Sequence, residues 1–252
     1  MASCGGKGDK GEHFDSCVVW DSNNQRWDEH MMGPLPQKRE YHSVVTLENV
    51  GVYIIGGNGS KNSMSTSDFL PANTFQWTRG PGLPKDVSTH VSGCAVVISD
   101  TSFIYINSGI IREYKQVQTG FWMDRNRWPA ISSRHWVGCA RIGSSVLIAG
   151  GYRRREYQRD TYVFDIANRT RRLGGFLATP RAYYHLATVT TGGLTKTFVL
   201  GGDDGSGSIS SVEEWDEENL TWNPADDLEE ARYIFAAITV PLSLVCSDST
   251  MI

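Results

Sequence analysis

Apolar residues enter this chain in short bursts separated by polar turns, and the bursts repeat. Within Arg39–Gly57 the runs Ser-Val-Val and Val-Tyr-Ile-Ile are joined by a polar turn and stopped by Gly56 and Gly57. Short β-branched and aromatic runs bounded by turn residues predict a pair of strands. A glycine pair at a strand end allows positive φ and a close approach of neighbouring backbone. The same ending recurs at Gly5-Gly6, Gly150-Gly151 and Gly201-Gly202, at intervals of 51, 94 and 51 residues. Near the middle of the long interval lies Phe103–Gly109, a strand-like run whose glycine pair is replaced by Asn107-Ser108-Gly109. The chain therefore reads as five units of roughly fifty residues, within the periods of stacked repeats.

Two more landmarks keep register with the glycine pairs. Trp20-Asp21 leads to Trp27, Trp215-Asp216 to Trp222, Leu70-Pro71 to Trp77 and Tyr114 to Trp122, whereas Phe164-Asp165 leads to Arg171. Such spacing predicts strand, turn, strand. Ahead of each next inner strand stand Arg39 with His42, Arg134 with His135, Arg181 with His185, and Arg232 without a His; the second unit keeps His90 without an Arg. Each unit thus predicts four short strands, A to D, placed in one case near Ser43–Thr46, Val52–Ile55, Ser67–Leu70 and Phe75–Thr78. Four antiparallel strands cannot bury their apolar faces alone, but sheets stacked around an axis can, and the result is an all-β propeller.

These landmarks resemble kelch repeats over about residues 5–245. The resemblance implies a single kelch-type β-propeller domain over 1–252, with blade units near 5–55, 56–107, 108–149, 150–200 and 201–252. It also implies that strands from the two termini close one blade. Kelch rings more often have six blades, so the five units fit either a five-bladed ring or an incomplete six-bladed one. In such rings Gly5, Gly6, Gly56, Gly57, Gly150, Gly151, Gly201 and Gly202 are architectural, and Trp27, Trp77, Trp122 and Trp222 pack between blades.

Composition narrows the function classes. The net charge of −4 argues for neither a nucleic-acid partner nor a membrane surface. That average hides a basic stretch, Arg112–Arg181, with 14 Lys and Arg against 5 acids, and an acidic one, Asp203–Glu230, with 11 acids and no Lys or Arg. No apolar run approaches the ~20 residues of a membrane span. The start, Met-Ala-Ser-Cys-Gly-Gly, has no apolar leader, and the sparse five cysteines lean towards a cytoplasmic setting. An upstream signal sequence would make it extracellular, and the sequons at Asn58, Asn168 and Asn219 fit that alternative. Cys4 and Cys17 flank the first B–C loop and fall within disulfide range if strands B and C pair antiparallel. Cys94 and Cys139 occupy matching A-strand positions and read as small buried apolar residues.

No nucleophile elbow, P-loop, dinucleotide fingerprint or zinc framework is present, and His42, His90, His135 and His185 lie in separate units. The expectation is a non-enzymatic module with no cofactor and no metal, monomeric as an isolated propeller. In kelch-type rings the B–C and D–A loops share one face and hold protein partners, including cytoskeletal actin and ubiquitin-ligase substrates. The B–C loops here are Lys7–Ser16, Asn58–Ser67, Tyr152–Asp160 and Asp203–Ser210, and the loop after Gly109 is nearly absent. Tyr152, Arg153, Arg154 and Arg155 are candidates to bind an acidic protein segment, because guanidinium forks match carboxylates and Tyr anchors. Arg39, Arg134, Arg181 and Arg232 either ring the same face or bond the carbonyls of their own loops. The alternatives are a metal-dependent oxidase or lyase using the axial channel, and an extracellular matrix- or glycan-associated module.

Overall fold

A computed structural model describes residues 2–21, 23–59, 62–88, 92–123, 128–191 and 193–233. Strands pair antiparallel into four four-stranded sheets and one three-stranded sheet, each meandering in chain order, and the sheets stand as five blades of a propeller ring. Blade one is Ala2–Cys4, Cys17–Asp21 and Arg26–Asp28. Blade two is Ser43–Leu47, Gly51–Ile55, Ser67–Pro71 and Thr78–Arg79, and blade three is Cys94–Ser99, Ser102–Asn107, Ile110–Lys115 and Phe121–Trp122. Blade four is Gly138–Ile142, Ser145–Ala149, Asp160–Asp165 and Arg171–Phe176. Blade five is His185–Thr191, Leu194–Leu200, Val212–Asp216 and Thr221–Ala225. The expected A strand of the last unit and Cys246 lie outside the described residues, as does His90.

The B strands carry the core. Phe103, Ile104, Tyr105 and Ile106, and likewise Val146 to Ala149, are almost wholly buried. In blades three and four the neighbouring blades cover both faces of the sheet, so these strands are continuous apolar runs instead of alternating ones. The spaced tryptophans pack on the preceding blade. Trp222 joins Val163 and Leu177 of blade four and donates to Thr161 Oγ1 at 2.8 Å. Trp122 meets the Tyr53 cluster of blade two, and Trp77 meets Cys4 and Cys17 of blade one. Trp27 differs, being 47% exposed with Trp20 edge-on at 5.7 Å. The D strand of blade two starts later than expected, with Thr78 opposite Phe69.

The glycine pairs end the B strands as their backbone demands. All eight residues have φ between 48° and 108°, where an L side chain is strained. A Cβ on Gly57 would also collide with the Glu40 carbonyl oxygen.

Two disulfides are present among the described residues. Cys4 and Cys17 face each other across strands B and C of blade one, with Cα atoms 4.1 Å apart. Cys94 and Cys139 are bonded between the A strands of blades three and four, with Cα atoms 6.0 Å apart. This corrects the reading of the second pair as free apolar residues: matching positions on adjacent inner strands put the sulfurs side by side.

Candidate interaction face

Backbone pairing brings the B–C and D–A loops onto one face. Arg39 and Glu40 pair with Gly59 and Asn58 in blade two. His135 and Tyr152 exchange hydrogen bonds of 2.9 and 2.8 Å in blade four, and Ala182 and Asp203 do the same at 3.0 and 2.9 Å in blade five. In blade three a two-residue turn, Ser108-Gly109, replaces the loop, with φ of 52° and 81°.

The recurrent arginines do not line this face. Arg39, Arg134 and Arg181 sit four residues before their A strands and are 0%, 1% and 0% exposed. Each donates to the carbonyl of the first residue of its own blade's glycine pair: Gly56, Gly150 and Gly201. Each also meets a carboxylate at the start of strand C. Arg39 lies 2.8 Å from Asp68, Arg134 makes two bonds of 2.7 Å to Asp160, and Arg181 reaches Glu213 at 2.7 Å. Burial opposes the charge of Arg134, but the hydrogen bonds and field of Asp160 outweigh it and raise its pKa. Burial lowers the pKa of Arg39 and Arg181, against the pull of Asp68 and Glu213. These three side chains therefore close their own blades and are withdrawn from any partner.

Arg232 departs from that scheme. Its side chain is 48% exposed and only 3.4 Å from Glu230. In blade one, the position matching Asp68 and Glu213 is Val18, because Gly5, Gly56 and Gly201 bond Ser16, Thr66 and Ser211 respectively. Without a buried carboxylate there is nothing to draw this guanidinium inward. Blade three reverses the signs: Arg112 stands on strand C and pairs with Asp86 of the preceding loop, with Nε bonds of 3.0 and 3.2 Å.

What the face does present is aromatic. Two residues after each buried arginine stand Tyr41, Trp136 and Tyr183, all left-handed with φ of 54°, 51° and 57°. Trp136 stacks on Tyr183 with centroids 4.3 Å apart and approaches Tyr152 at 5.6 Å. Tyr152 meets Tyr157 at 5.1 Å, and Tyr183 meets Tyr233 at 6.3 Å. The result is a strip running from blade five across blade four. Tyr157 is pushed up to about 12 by burial and by its hydrogen bond to Asp203. The acidic loop of blade five thus touches the basic hairpin of blade four. Of the strip, only Tyr152 was expected from sequence. The signal for the rest was an aromatic two places after the arginine, in Arg-Glu-Tyr, Arg-His-Trp and Arg-Ala-Tyr.

The basic hairpin is Tyr152–Arg153 paired with Glu156–Tyr157. Its tip residues, Arg154 and Arg155, are exposed and left-handed, with φ of 51° and 69°. Among the described residues none of Arg153, Arg154 and Arg155 has an ion-pair partner.

Behind the strip, the inner strands enclose an axial channel of about 390 Å³ lined by residues including His42, Gly93, Cys94, Cys139, Tyr184 and His185. Burial, helped by Arg39, pulls His42 down to about 4, and burial lowers His185 too. Among the described residues no cluster of His, Cys, Asp and Glu could hold a metal ion, and no helix is long and apolar enough to cross a membrane.

A model of the kelch motif matches residues 184–229, one blade complete with Gly201-Gly202, Trp215 and Trp222. Blades two and four repeat that strand register and the buried arginine that precedes it, and blade three repeats the register. The chain is a kelch-repeat propeller. No curated protein matches it. Kelch propellers are in general non-enzymatic modules that bind proteins.

Proposed function

We propose that this kelch propeller holds a protein segment on its loop face, along the Tyr183–Trp136–Tyr152 strip and against the basic hairpin. The carrying observation is the pair Trp136 and Tyr183, bulky residues in left-handed backbone yet stacked on the open face. Such conformations cost about 1–3 kcal/mol each for a non-glycine residue. The repeat does not itself call for an aromatic there, since the register of Ala95 with Tyr105, matching that of Val45 with Tyr53, aligns Val91 of the sequence with Tyr41. Aromatic and Arg side chains are the usual anchors of protein interfaces. The uncompensated Arg153, Arg154, Arg155 and the exposed Arg232 support an acidic segment as the ligand.

The test is affinity capture on the immobilised propeller, with partners identified by mass spectrometry. Trp136→Ala with Tyr183→Ala should lose the partners that the parent retains, and Arg153, Arg154 and Arg155 changed to Glu should lose the acidic ones. Unchanged capture by both variants would remove the loop-face reading. Two disulfides support an oxidising compartment, and so the extracellular alternative over the cytoplasmic one. Peptide mapping of the native protein under non-reducing conditions decides between them: four free thiols at these positions would return the cytoplasmic reading.

A further inference from the structure

Beside the aromatic strip lies a second feature with its own chemistry. Ser132, Ser133, His135, Arg153 and Arg154 line a cleft of about 490 Å³. Its two walls, the D–A segment and the basic hairpin, are zipped together by the His135–Tyr152 bridge, so their spacing is fixed by backbone. Arg134 lies beneath one wall, donating to the Ser132 carbonyl at 3.3 Å and lying 3.5 Å from its hydroxyl, which holds that serine in place.

The lining is almost all donor. Two guanidiniums, two hydroxyls and an imidazole converge, and no carboxylate lines the cleft. The nearby Asp160 is engaged twice by Arg134 at 2.7 Å. Arg153 Nε is buried and has no hydrogen-bond partner, a desolvated donor facing no acceptor of its own protein. A carboxylate carries one charge and about four acceptor sites; a phosphomonoester carries about −1.5 to −2 and three strong acceptor oxygens. The second matches two unpaired arginines with flanking hydroxyls better than the first.

We infer that this cleft receives a phosphorylated serine or threonine of the segment bound along the strip, an assignment that rests on the loop-face reading above. The strip begins at Tyr152, the residue before Arg153, so a peptide on the aromatics delivers a side chain directly into the cleft. The strip is what makes the ligand a peptide instead of a free anion.

Three immobilised peptide pools, degenerate around a fixed central phosphoserine, serine or aspartate, provide the probes. The parent propeller should retain on the phosphoserine pool on the order of tenfold more than on either other pool, as charge-assisted hydrogen bonds require. Arg153→Gln with Arg154→Gln should reduce the phosphoserine pool to the serine level, and Ser133→Glu, at an exposed position, should do the same by repulsion. Trp136→Ala should weaken all three pools together. Equal retention of the phosphoserine and aspartate pools, or a preference that survives both cleft variants, overturns the phosphate assignment. Loop-face binding then still stands if Trp136→Ala weakens the serine pool, and falls with it if no pool responds. Competition by inorganic phosphate without any pool preference would assign the cleft to a free anion and overturn the peptide claim.

Discussion

Replacing Arg181 separates the architectural role of the recurrent arginines from a binding role. The side chain is fully buried and donates to the Thr179, Gly201 and Ser211 carbonyls, the Ser211 hydroxyl and Glu213. Glu213 is 3% exposed, and without the Arg181 guanidinium its remaining donors are the Ala178 and Thr179 amides, at 2.7 and 3.3 Å in the parent. Removing one partner of a buried ion pair costs about 3–5 kcal/mol, because the other charge is stranded. Whole domains are stable by about 5–15 kcal/mol, so the variant should sit near the edge of folding. At roughly 2–4 °C per kcal/mol for a chain of this size, its melting temperature should fall by on the order of 10 °C. Adding Glu213→Gln should return part of the loss, since a neutral amide is cheaper to bury than an unpaired carboxylate. The assay is urea unfolding followed by Trp fluorescence with disulfides intact, comparing parent, two singles and the double. A loss under 1 kcal/mol in Arg181→Ala, or no rescue by the second change, would refute the closing role.

Other perturbations have equally definite outcomes. Changing Cys94 and Cys139 to Ala releases a loop spanning 45 residues and should cost about 4 kcal/mol on the chain-entropy scale, measured by denaturant midpoint; no change would contradict the bond. Gly57→Val forces a φ of 90° and a clash with the Glu40 carbonyl, so thermal unfolding should move down by several degrees, and an unchanged midpoint would exclude that role. His42 titrates at about 4 when folded and 6.5 when unfolded, so its contribution is complete above 6.5 and is lost as pH falls towards 4. By linkage it should take away about 2 kcal/mol between pH 7 and pH 5. His42→Gln should flatten that part of the stability profile; an identical slope would show that the imidazole is not responsible.

The fold was legible because its signals are periodic. Glycine pairs, spaced tryptophans and the arginines ahead of the inner strands each answer a backbone or packing need that most blades repeat, so one blade explains much of the others. The loop face was only partly legible for the same reason. Arg39, Arg134 and Arg181 recur, and recurrence left open whether they serve the fold or a partner; their carboxylates, Asp68, Asp160 and Glu213, lie 26 to 32 residues away and no local pattern links them. The aromatic strip depends on which way a left-handed residue throws its side chain, and on two blades meeting. The Cys94–Cys139 bond likewise depends on adjacent inner strands, since 45 residues separate the two positions.

If the loop face binds as proposed, the short turn of blade three bears on how a ligand would leave. Blades two, four and five each raise a B–C loop at the rim, whereas Ser108-Gly109 returns the chain at once. Among the described B–C connections the rim is therefore lowest at blade three, next to the blade that carries Trp136 and the basic hairpin. A segment laid on the strip can run out there without climbing a loop. On the proposed reading, an internal stretch of a long chain could then occupy the face as readily as a free end.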